Sequence, residues 1–567
     1  MPKNIRLDNN NTINPFGASA RRRIVLFLVA MTALQGCSRG SQAPADTLRF
    51  DLAADPRTLN PLFLTPDAAS VEQQVARLVF EPFVDLDPSG RPVPVLLREI
   101  PTRSNGGLSA DGRTIRYRLR AGVQWSDGRP VTAQDVLFTL DAILDPRNPV
   151  RSHDGYDLID RAQASDPLTL VFHLKRAWAP AVMTYFSAGI SPQFVLPAHV
   201  LRSQLPLDRA PFNAAPSVGD GPYRFLFWRR GESLRYAANA RYWRGKPAIA
   251  ELDVRTIPDP STNLLLLRSG AIDWNLLAPA QLAVVRGDPR IHFLTVPTAV
   301  VAGLAFNTSR APLRDARLRA AIAMAIDRNA ISRKITLGFY PVTNMIQPQF
   351  SWAYDPAVRE PGYDPRGADA LFDRAGWVRG PDGMRRRDGS ALHLTYVQFP
   401  ESATGVRVAT AVAAALRDRG VDVTIKAVSN AQLFLPRTGV LASGNFDVAY
   451  VPWTMGADPD DSTVLGCGAP SNYMRWCDSH VERLERAALA TTTEALRKRI
   501  YGEIGRIVAR QVPVLYLFNA EYVYAYSGRV RGFAPNAFVP TWNAYRWRLQ
   551  ALSSSARPSA SARNYAR

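Results

Sequence analysis

The sequence predicts an α/β fold, and the alternation of helix and strand in its C-terminal half carries that prediction. Apolar residues at helical spacing run from about residue 403 to residue 419, and the pattern stops at Gly420. In residues 421–426, apolar and polar side chains then alternate, as they do in a half-buried strand. A second strand is expected at residues 446–451. Helix and strand thus follow one another here, as in layered α/β proteins.

Two further helices are predicted from their capping residues. Thr132-Ala-Gln-Asp135 resembles a capping box, with Asp at the position that usually holds Glu or Gln. Behind it, one helical face collects the apolar side chains of Val136, Leu137, Leu140, Ile143 and Leu144. Asp315 is expected to cap a helix that carries Leu318, Ala321, Ile322, Ala325 and Ile326. The first half of the chain differs, with short strand-like runs at residues 114–119, 168–174 and 234–237 between Gly, Pro and Asp-Gly turns.

The composition indicates a globular protein. Of 567 residues, 46% are hydrophobic and 21% charged, which excludes a disordered chain and a multi-span membrane protein. The net charge of +20 comes almost entirely from arginine, and the basic residues are dispersed among acids. No zinc-finger spacing or RNA-binding aromatic motif accompanies them, so no nucleic-acid partner is expected. An arginine-rich surface remains compatible with anionic solutes or anionic lipid headgroups.

The N-terminus has the layout of an export signal spanning residues 1–36. Arg21-Arg22-Arg23 precedes an apolar run over residues 24–34, which ends at Gln35-Gly36-Cys37. The run is shorter than the about 20 residues needed to span a bilayer. Leu34-Gln35-Gly36-Cys37 resembles the bacterial lipobox, although Gln departs from the usual small residue. The resemblance implies a lipid on Cys37, with an ordinary cleaved signal as the alternative and the export route left open.

Small polar residues dominate both ends of the exported chain. Residues 37–46 are interpreted as a lipidated tether, and residues 553–567 as a disordered tail rich in Ser, Ala and Arg. Cys467 and Cys477 are close in sequence, and export favours a disulfide between them. A metal site with His480 is the alternative. Neither a metal nor a cofactor is expected.

Enzyme motifs are missing from the sequence. The six His residues are scattered without a His-x-x-x-His pair for zinc. A Gly-x-Ser-x-Gly nucleophile elbow and a Gly-Lys-Ser/Thr phosphate loop are absent as well. The chain is therefore interpreted as a protein without enzymatic activity, and a secreted hydrolase is kept as a remote alternative.

Four segments resemble the extracytoplasmic solute-binding proteins of the peptide/nickel type, family 5, and they occur in the family's order. They are residues 55–61 (Asp-Pro-Arg-Thr-Leu-Asn-Pro), residues 119–136, residues 218–223 with 239–247, and residues 306–308 with 313–327. The resemblance extends over about residues 47–550. Most of these residues are expected to stabilise the fold and not to contact a ligand. Asp127-Gly128 is typical of a tight turn, and Tyr242 and Trp243 are expected to pack in the interior.

The resemblance implies a two-lobed periplasmic-binding-protein fold (type II, cluster C) with an extra inserted domain and two crossovers between the lobes. Carried onto this chain, the boundaries are lobe I at 45–80, 214–296 and 520–550, the inserted domain at 81–213, and lobe II at 297–519. Hinge closure would then enclose a solute.

The resemblance also implies a ligand site beside a strand that ends in Trp. Here that residue is Trp453, which would offer a stacking wall. Peptide-binding relatives carry an Asp three residues later, where this chain has Gly456, and an acid follows at Asp458. Asp458 would pair with a ligand amino group, or would only begin an Asp-Pro turn. Other residues that the resemblance brings near the cleft are Phe63, Asn307, Leu517 and Phe518.

The implied function is that of an ABC-transporter substrate-binding lipoprotein in the periplasm. It would capture a peptide or peptide-like solute as a monomer and deliver it to the permease and ATPase of an inner-membrane importer. A non-peptide solute, such as a nickel chelate, haem or an opine, is the alternative. Because the acid lies at Asp458, two residues after the position that peptide-binding relatives use, both a peptide and a non-peptide solute stay possible.

Overall fold

A computed structural model describes residues 46–64 and 71–550. The predicted signal at 1–36, the lipidation site Cys37 and the predicted tail at 553–567 lie outside the described residues. No helix in the described ranges combines the length and the apolar character required to cross a membrane.

The strands of the described residues are numbered in chain order. They are β1 Thr47–Leu52, β2 Val84–Leu86, β3 Pro92–Pro94, β4 Thr114–Arg118, β5 Ile159–Asp166, β6 Thr169–Leu174, β7 Tyr223–Arg229, β8 Ser233–Ala238, β9 Glu251–Thr256, β10 Trp274–Leu277, β11 Ile291–Phe306, β12 Val378–Arg379, β13 Arg385–Arg387, β14 Ser390–Ala391, β15 His393–Gln398, β16 Asp422–Ala427, β17 Val448–Thr454, β18 Val514–Ser527, β19 Val530–Arg531 and β20 Arg548–Leu549.

The α-helices are numbered in the same way. They are α1 Val71–Val79, α2 Ala133–Leu144, α3 Ala181–Thr184, α4 Ala198–Leu201, α5 Pro260–Ser269, α6 Leu282–Val285, α7 Ala316–Met324, α8 Arg328–Ile335, α9 Pro365–Arg374, α10 Ala403–Arg417, α11 Asn430–Phe434, α12 Val440–Ser443, α13 Ser462–Leu465, α14 Ser479–Ala490 and α15 Glu494–Gln511.

One mixed sheet runs through much of the molecule. Its ten strands have the order β16-β15-β17-β11-β18-β10-β1-β9-β8-β7. β15 is parallel to β16 and β17, whereas β11 is antiparallel to both β17 and β18. A separate antiparallel sheet has the order β4-β6-β5. The main sheet therefore joins distant parts of the chain.

β11 and β18 connect the two halves of this sheet. They have 16 and 14 residues, well above the usual strand length of about 5–6. β17 pairs with the last part of β11, and β10 pairs with the last part of β18. The register between β11 and β18 shifts between Pro297 and Val301. At that shift the Asn519 amide donates to the Thr298 carbonyl at 2.9 Å, which ties the strands together.

The apolar core is divided in the same way. One large cluster collects buried residues from 48–296 and 524–547, and two others collect residues from 301–518. A smaller cluster contains Ala299, Phe538 and Trp542, and Met183 and Phe350 pack against it. The two ends of the main sheet thus pack against different apolar clusters.

The predicted elements are found, with one difference. α2 begins behind Thr132, whose backbone N–H donates to Asp135 Oδ2 at 2.9 Å. α10 is followed by Gly420, whose φ of 78° is the left-handed conformation that glycine adopts without strain. Asp315 caps α7 as predicted, but the helix ends at Met324. Its predicted extension to Ile326 is wrong, because the side chain of Asp327 caps the next helix, α8.

Candidate functional site

A cavity of about 320 Å³ opens between two segments on one side, residues 152–158 before β5 and residues 176–191 after β6, and the loop that follows β17 on the other. Its polar and aromatic lining includes residues of both segments, and we call it the cleft cavity. It is lined by Ser152, Asp154, Gly155, Tyr156, Asp157, Leu158, Arg176, Trp178, Pro180, Met183, Thr184, Ser187, Ala188, Gly189, Ile190, Ser191, Thr454, Met455, Gly456, Ala457, Asp458, Asp460 and Thr463.

The sheet fixes the position of the loop that forms one wall. Trp453 pairs with Val301 of β11, and the Met455 N–H donates to the Ala299 carbonyl at 2.9 Å. The chain then leaves the sheet at the edge of the cavity. Gly189 of the opposite wall faces Ala457 of this loop, since a Cβ on this glycine would lie 4.0 Å from the Ala457 nitrogen. The two walls of the cavity are therefore close together.

Asp458 lines the cavity, but its charge is directed at another residue. Arg497 Nη1 and Nη2 donate to its two carboxylate oxygens at 2.7 and 2.5 Å. Both side chains are buried, with exposed fractions of 9% and 5%. Burial alone would lower the pKa of Arg497, but the hydrogen bonds and charge of Asp458 raise the pKa above its ordinary value. A ligand amine at Asp458 would have to compete with this pair, so a ligand contact there stays a prediction.

Asp460, two residues further on, has no such partner. It accepts a hydrogen bond from the Ser462 N–H at 3.0 Å, and no cation of the described residues lies within ion-pair distance. Burial raises the pKa of this carboxyl. Asp460 is not among the site residues predicted from the sequence, because spacing alone cannot tell a paired acid from an unpaired one.

The opposite wall comes from residues that no motif identified. Trp178 packs on Gly155, where a Cβ would lie 2.1 Å from the indole. The Tyr185 hydroxyl donates to the Gly155 carbonyl at 2.7 Å and holds this turn. Arg176 is exposed at the cavity and has no carboxylate at ion-pair distance within the described chain. Only its place beside the strand-like run at 168–174 could have drawn attention to it.

Trp453 lies behind the loop of the cavity. Its side chain is 4% exposed, its indole N–H donates to the Ser471 carbonyl at 3.2 Å, and its ring stacks on Tyr473 with 6.5 Å between ring centroids. Trp453 is therefore a buried residue that packs behind the cavity wall. Gly456 and Asp458 line the cavity itself.

The structure does not bring the other four predicted residues into the cleft cavity. Asn307 is buried, and its amide donates to the carbonyls of Gly444 and Phe446, both at 3.0 Å. Leu517 and Phe518 are buried in the core on β18. Phe63 lies in a different depression, beside arginines such as Arg57, Arg151 and Arg230. These four residues do not line the cleft cavity, and their predicted ligand contacts stay predictions.

Two buried acids lie beneath the cavity loop. Asp461 Oδ2 accepts a hydrogen bond from the Gln347 amide at 3.0 Å, and Glu485 faces the same carboxyl. Burial raises the pKa of Asp461 to about 7. Burial, and then the charge of Asp461, raise the pKa of Glu485 well above its ordinary value. The two carboxyls therefore retain at least one proton at neutral pH, since both cannot ionise side by side in the core.

A disulfide joins Cys467 to Cys477 near this loop. His480, the alternative metal ligand, forms a 3.0 Å hydrogen bond with Glu503 instead. Residues 46–64 and 71–550 contain no group of three or more His, Cys, Asp or Glu side chains arranged to hold a metal ion.

Comparison with known proteins gives the family. The model of "Bacterial extracellular solute-binding proteins, family 5 Middle" matches residues 92–474, about two thirds of the chain. This chain belongs to that family. Family 5 proteins bind solutes for ABC importers, and the chain is accordingly a binding protein and not an enzyme.

Similar family 5 proteins agree with this assignment. The chain is 30% identical to Di/tripeptide-binding protein 2 of Pseudomonas aeruginosa over 456 residues, covering 75% of this chain and 82% of the relative. It is 27% identical to the probable D,D-dipeptide-binding periplasmic protein DdpA of Escherichia coli, covering 88% and 93%. NikA of Brucella suis, in a complex with Fe(III)-EDTA, superposes with a TM-score of 0.78 at 22% identity, covering 89% and 100%. The predicted fold, a two-lobed periplasmic-binding-protein fold, is confirmed.

Proposed function

We propose that this family 5 protein captures a short peptide or peptide-like solute through a free amino group in the cleft cavity, and delivers it to an ABC importer. The charge of the cavity carries the proposal. Asp154, Asp157 and Asp460 have no cation at ion-pair distance among the described residues, and Arg176 is the one basic residue in the described lining. The excess of carboxylates favours a cationic group on the solute.

A peptide amino group fits this arrangement chemically. A charged amine donates up to three hydrogen bonds, and charge-assisted bonds to carboxylates are among the strongest in proteins. Trp178 and Tyr156 add aromatic surface on the opposite wall. The single Arg176 is available to a carboxylate of the same solute. The volume of about 320 Å³ lies at the lower end for small-molecule sites.

The alternative solutes differ in charge. A carboxylate-rich chelate or another anionic solute would meet three uncompensated acids in the cavity. The Pseudomonas relative named for di- and tripeptides supports the peptide class, whereas the similarity to NikA extends to the fold alone. A non-peptide solute with a positive charge remains the second candidate, and the experiment below separates the two.

Capture is proposed to occur by hinge closure of lobes with the boundaries given in the sequence analysis. β11 and β18 serve as the crossovers, and the register shift near Pro297 marks the bend. The Ala179 N–H donates to the Leu489 carbonyl at 2.8 Å, a contact that closure would form and opening would break. A bound solute would stabilise the closed state through its contacts to both walls.

We further propose that the protein is a monomer anchored in the periplasm by a lipid on Cys37. The lipobox-like Leu34-Gln35-Gly36-Cys37 supports this anchor, and the periplasmic names of relatives support the compartment. Wild-type protein should fractionate with membranes, and Cys37→Ser should not be acylated. Equal detergent partitioning of the two forms, with no acyl mass on the Cys37 peptide, would refute the anchor.

Native mass spectrometry tests the solute. Protein purified after export should show non-covalent adducts that are lost on denaturation: a spread of peptide masses supports peptides, and one small mass indicates a dedicated ligand. Calorimetry with a di- and tripeptide set then measures affinity. N-acetylation of the best peptide should weaken binding at least about tenfold, because one charge-assisted hydrogen bond contributes about 1.5–3 kcal/mol.

A matched pair of variants assigns the carboxylate. Asp460→Asn should reproduce the loss seen with the acetylated peptide. Asp160→Asn removes an exposed acid of β5 outside the cavity and should leave the affinity unchanged. Unchanged binding in Asp460→Asn, or preference for an anionic chelate over every peptide, would contradict the proposed recognition.

A further inference from the structure

A patch of arginines lies on a part of the molecule that the solute site does not use. Arg244, Arg531, Arg546 and Arg548 line one shallow depression together with Gly532 and Tyr545, and no acid from the described part of the chain lines it. We call these four arginines and Tyr545 the basic patch. Arg531, Arg546 and Arg548 are exposed, and Arg244 is half-buried.

The arginines of the basic patch have no carboxylate partners. None of the four lies within ion-pair distance of an acid in residues 46–64 or 71–550, although many other arginines of the chain are paired. An adjoining depression contains Asp87, whose carboxylate already accepts from Arg91 at 2.9 Å. The charge of the patch is therefore not neutralised within the described chain.

Two of these arginines are placed against each other by the fold. β19 and β20 form a two-stranded antiparallel ribbon in which Arg531 lies directly opposite Arg548. Like charges directly opposite one another destabilise a strand pair. An anion between them would reduce this repulsion.

Aromatic rings hold the other two guanidinium groups. Arg244 lies over the Tyr545 ring at 4.6 Å and over the Trp243 ring at 4.4 Å, and Arg546 lies over Tyr545 at 5.3 Å. Arg120 shares the Trp243 ring at 4.5 Å, and burial and then the charge of Arg244 lower its pKa. Stacked guanidinium groups keep their N–H donors free for a phosphate.

Arg49 and Arg529, which lie near the first and last described residues, contact the same carboxylate. Asp273 accepts from the Arg49 backbone N–H at 2.7 Å and from Arg529 Nε at 2.6 Å, which links the start of β1 to the residues before Arg531. Cys37 is twelve residues before Arg49, a span of at most about 40 Å. Residues 551–567 follow the patch directly and contain three arginines but no acid.

We propose that the basic patch docks this protein on a membrane surface that contains anionic phospholipids. This inference rests on the proposed lipid anchor, which would hold the chain within reach of the bilayer, where the patch adds an electrostatic contact. Phospholipid phosphates match guanidinium groups that have no carboxylate partner among the described residues, and each basic residue near such a surface adds to the attraction. The solute cavity has no part in this contact.

Vesicle binding tests the proposal without the anchor. The mature chain, with Cys37→Ser so that no acyl group contributes, is mixed with phosphatidylcholine vesicles with or without 30% phosphatidylglycerol. The wild-type patch should bind the anionic vesicles at least about tenfold more tightly, and salt should weaken the binding. Arg531→Gln, Arg546→Gln and Arg548→Gln together should remove most of this difference, while the corresponding lysine variant should retain it.

The control is a second charge-matched variant. Arg103→Gln, Arg116→Gln and Arg161→Gln remove the same charge from exposed residues in and near the separate three-stranded sheet and should bind vesicles like wild type. Equal loss in both triple variants would mean a general charge effect and would overturn the proposal. Complete competition by millimolar inorganic phosphate would assign a small-anion pocket instead and would also overturn it.

Solute calorimetry on the same proteins separates this proposal from the proposed function. The patch variants should bind the solute like wild type and unfold at the same urea concentration. If the wild-type protein binds the solute but shows no preference for anionic vesicles, only the membrane-docking proposal is refuted. Failure of solute binding with intact vesicle binding refutes only the peptide assignment.

Discussion

Arg497 of α15 donates two hydrogen bonds, at 2.7 and 2.5 Å, to the two carboxylate oxygens of Asp458 in the loop after β17. The guanidinium also donates to the Tyr501 hydroxyl at 3.0 Å. This buried pair ties the cavity loop to the helix behind it. The acid that the sequence suggested for a ligand amine is thus engaged in positioning the loop, and Asp460 is left facing the cavity without a cation.

Removing one member of this pair should be costly. Arg497→Met leaves the Asp458 carboxylate buried without a partner, and we expect a loss of about 3–5 kcal/mol in the free energy of unfolding. The double variant Arg497→Met with Asp458→Asn should recover part of this loss, because no isolated charge remains. Urea unfolding of wild type, Arg497→Met, Asp458→Asn and the double variant measures the coupling. Additive losses would show that the pair does not stabilise the loop.

The buried acids Asp461 and Glu485 predict a pH dependence. The pKa of Asp461 is about 7 in the folded protein and about 4 when unfolded, so the folded state binds more protons between these values. Its contribution to stability is complete below about pH 4 and is lost as the pH rises towards about 7. Glu485→Gln should make stability fall less steeply between pH 5 and pH 8. An unchanged slope in urea unfolding would exclude a shared proton.

The disulfide should stabilise the segment next to the cavity loop. Cys467 and Cys477 close a short loop, for which loop-closure entropy predicts about 2–3 kcal/mol. The variant with both cysteines changed to serine should therefore unfold at a lower urea concentration than the oxidised wild type. Reduced wild type should match the variant. Identical midpoints for oxidised and reduced protein would show that the bond does not form or does not stabilise.

Gly155 should be required for the aromatic wall of the cavity. Its φ of 76° costs a non-glycine residue of order 1–3 kcal/mol, and an alanine Cβ would also overlap Trp178. Gly155→Ala should therefore weaken solute binding at least about tenfold, because the indole must move. Gly231→Ala is the control, since its φ is 72° with nothing within 4 Å of a Cβ. Similar affinities in the two variants would mean that Trp178 does not form the wall.

Much of the fold followed from local chemistry. Thr132 and Asp315 predicted helix starts that the structure contains, and Gly420 marked the end of α10. These signals are readable because a cap or a positive φ depends on one residue and its near neighbours. The helix behind Asp315 was predicted too long, since the next cap at Asp327 competes with a continuous apolar pattern.

The cavity was less predictable than the fold. Gly456 and Asp458 were named because the resemblance to family 5 implies a site after Trp453, whereas Trp178, Arg176 and Asp460 were not selected. Asn307 and Leu517 have residue types that suit a site and a core equally well, and the structure buries them. A motif identifies a segment, but the side chains that face a cavity depend on which distant segment packs against it.

The α/β class, the helix caps and the resemblance to family 5 can be read from the order of residues along the chain, because each depends on near neighbours or on their order. The folded chain was needed to show that Arg497 neutralises Asp458, that Asp460 has no cation partner among the described residues, and that Arg531 lies opposite Arg548. These relationships join residues that are far apart along the chain or set by strand register. Their charges acquire a partner, or lack one, only when folding brings them within a few ångströms.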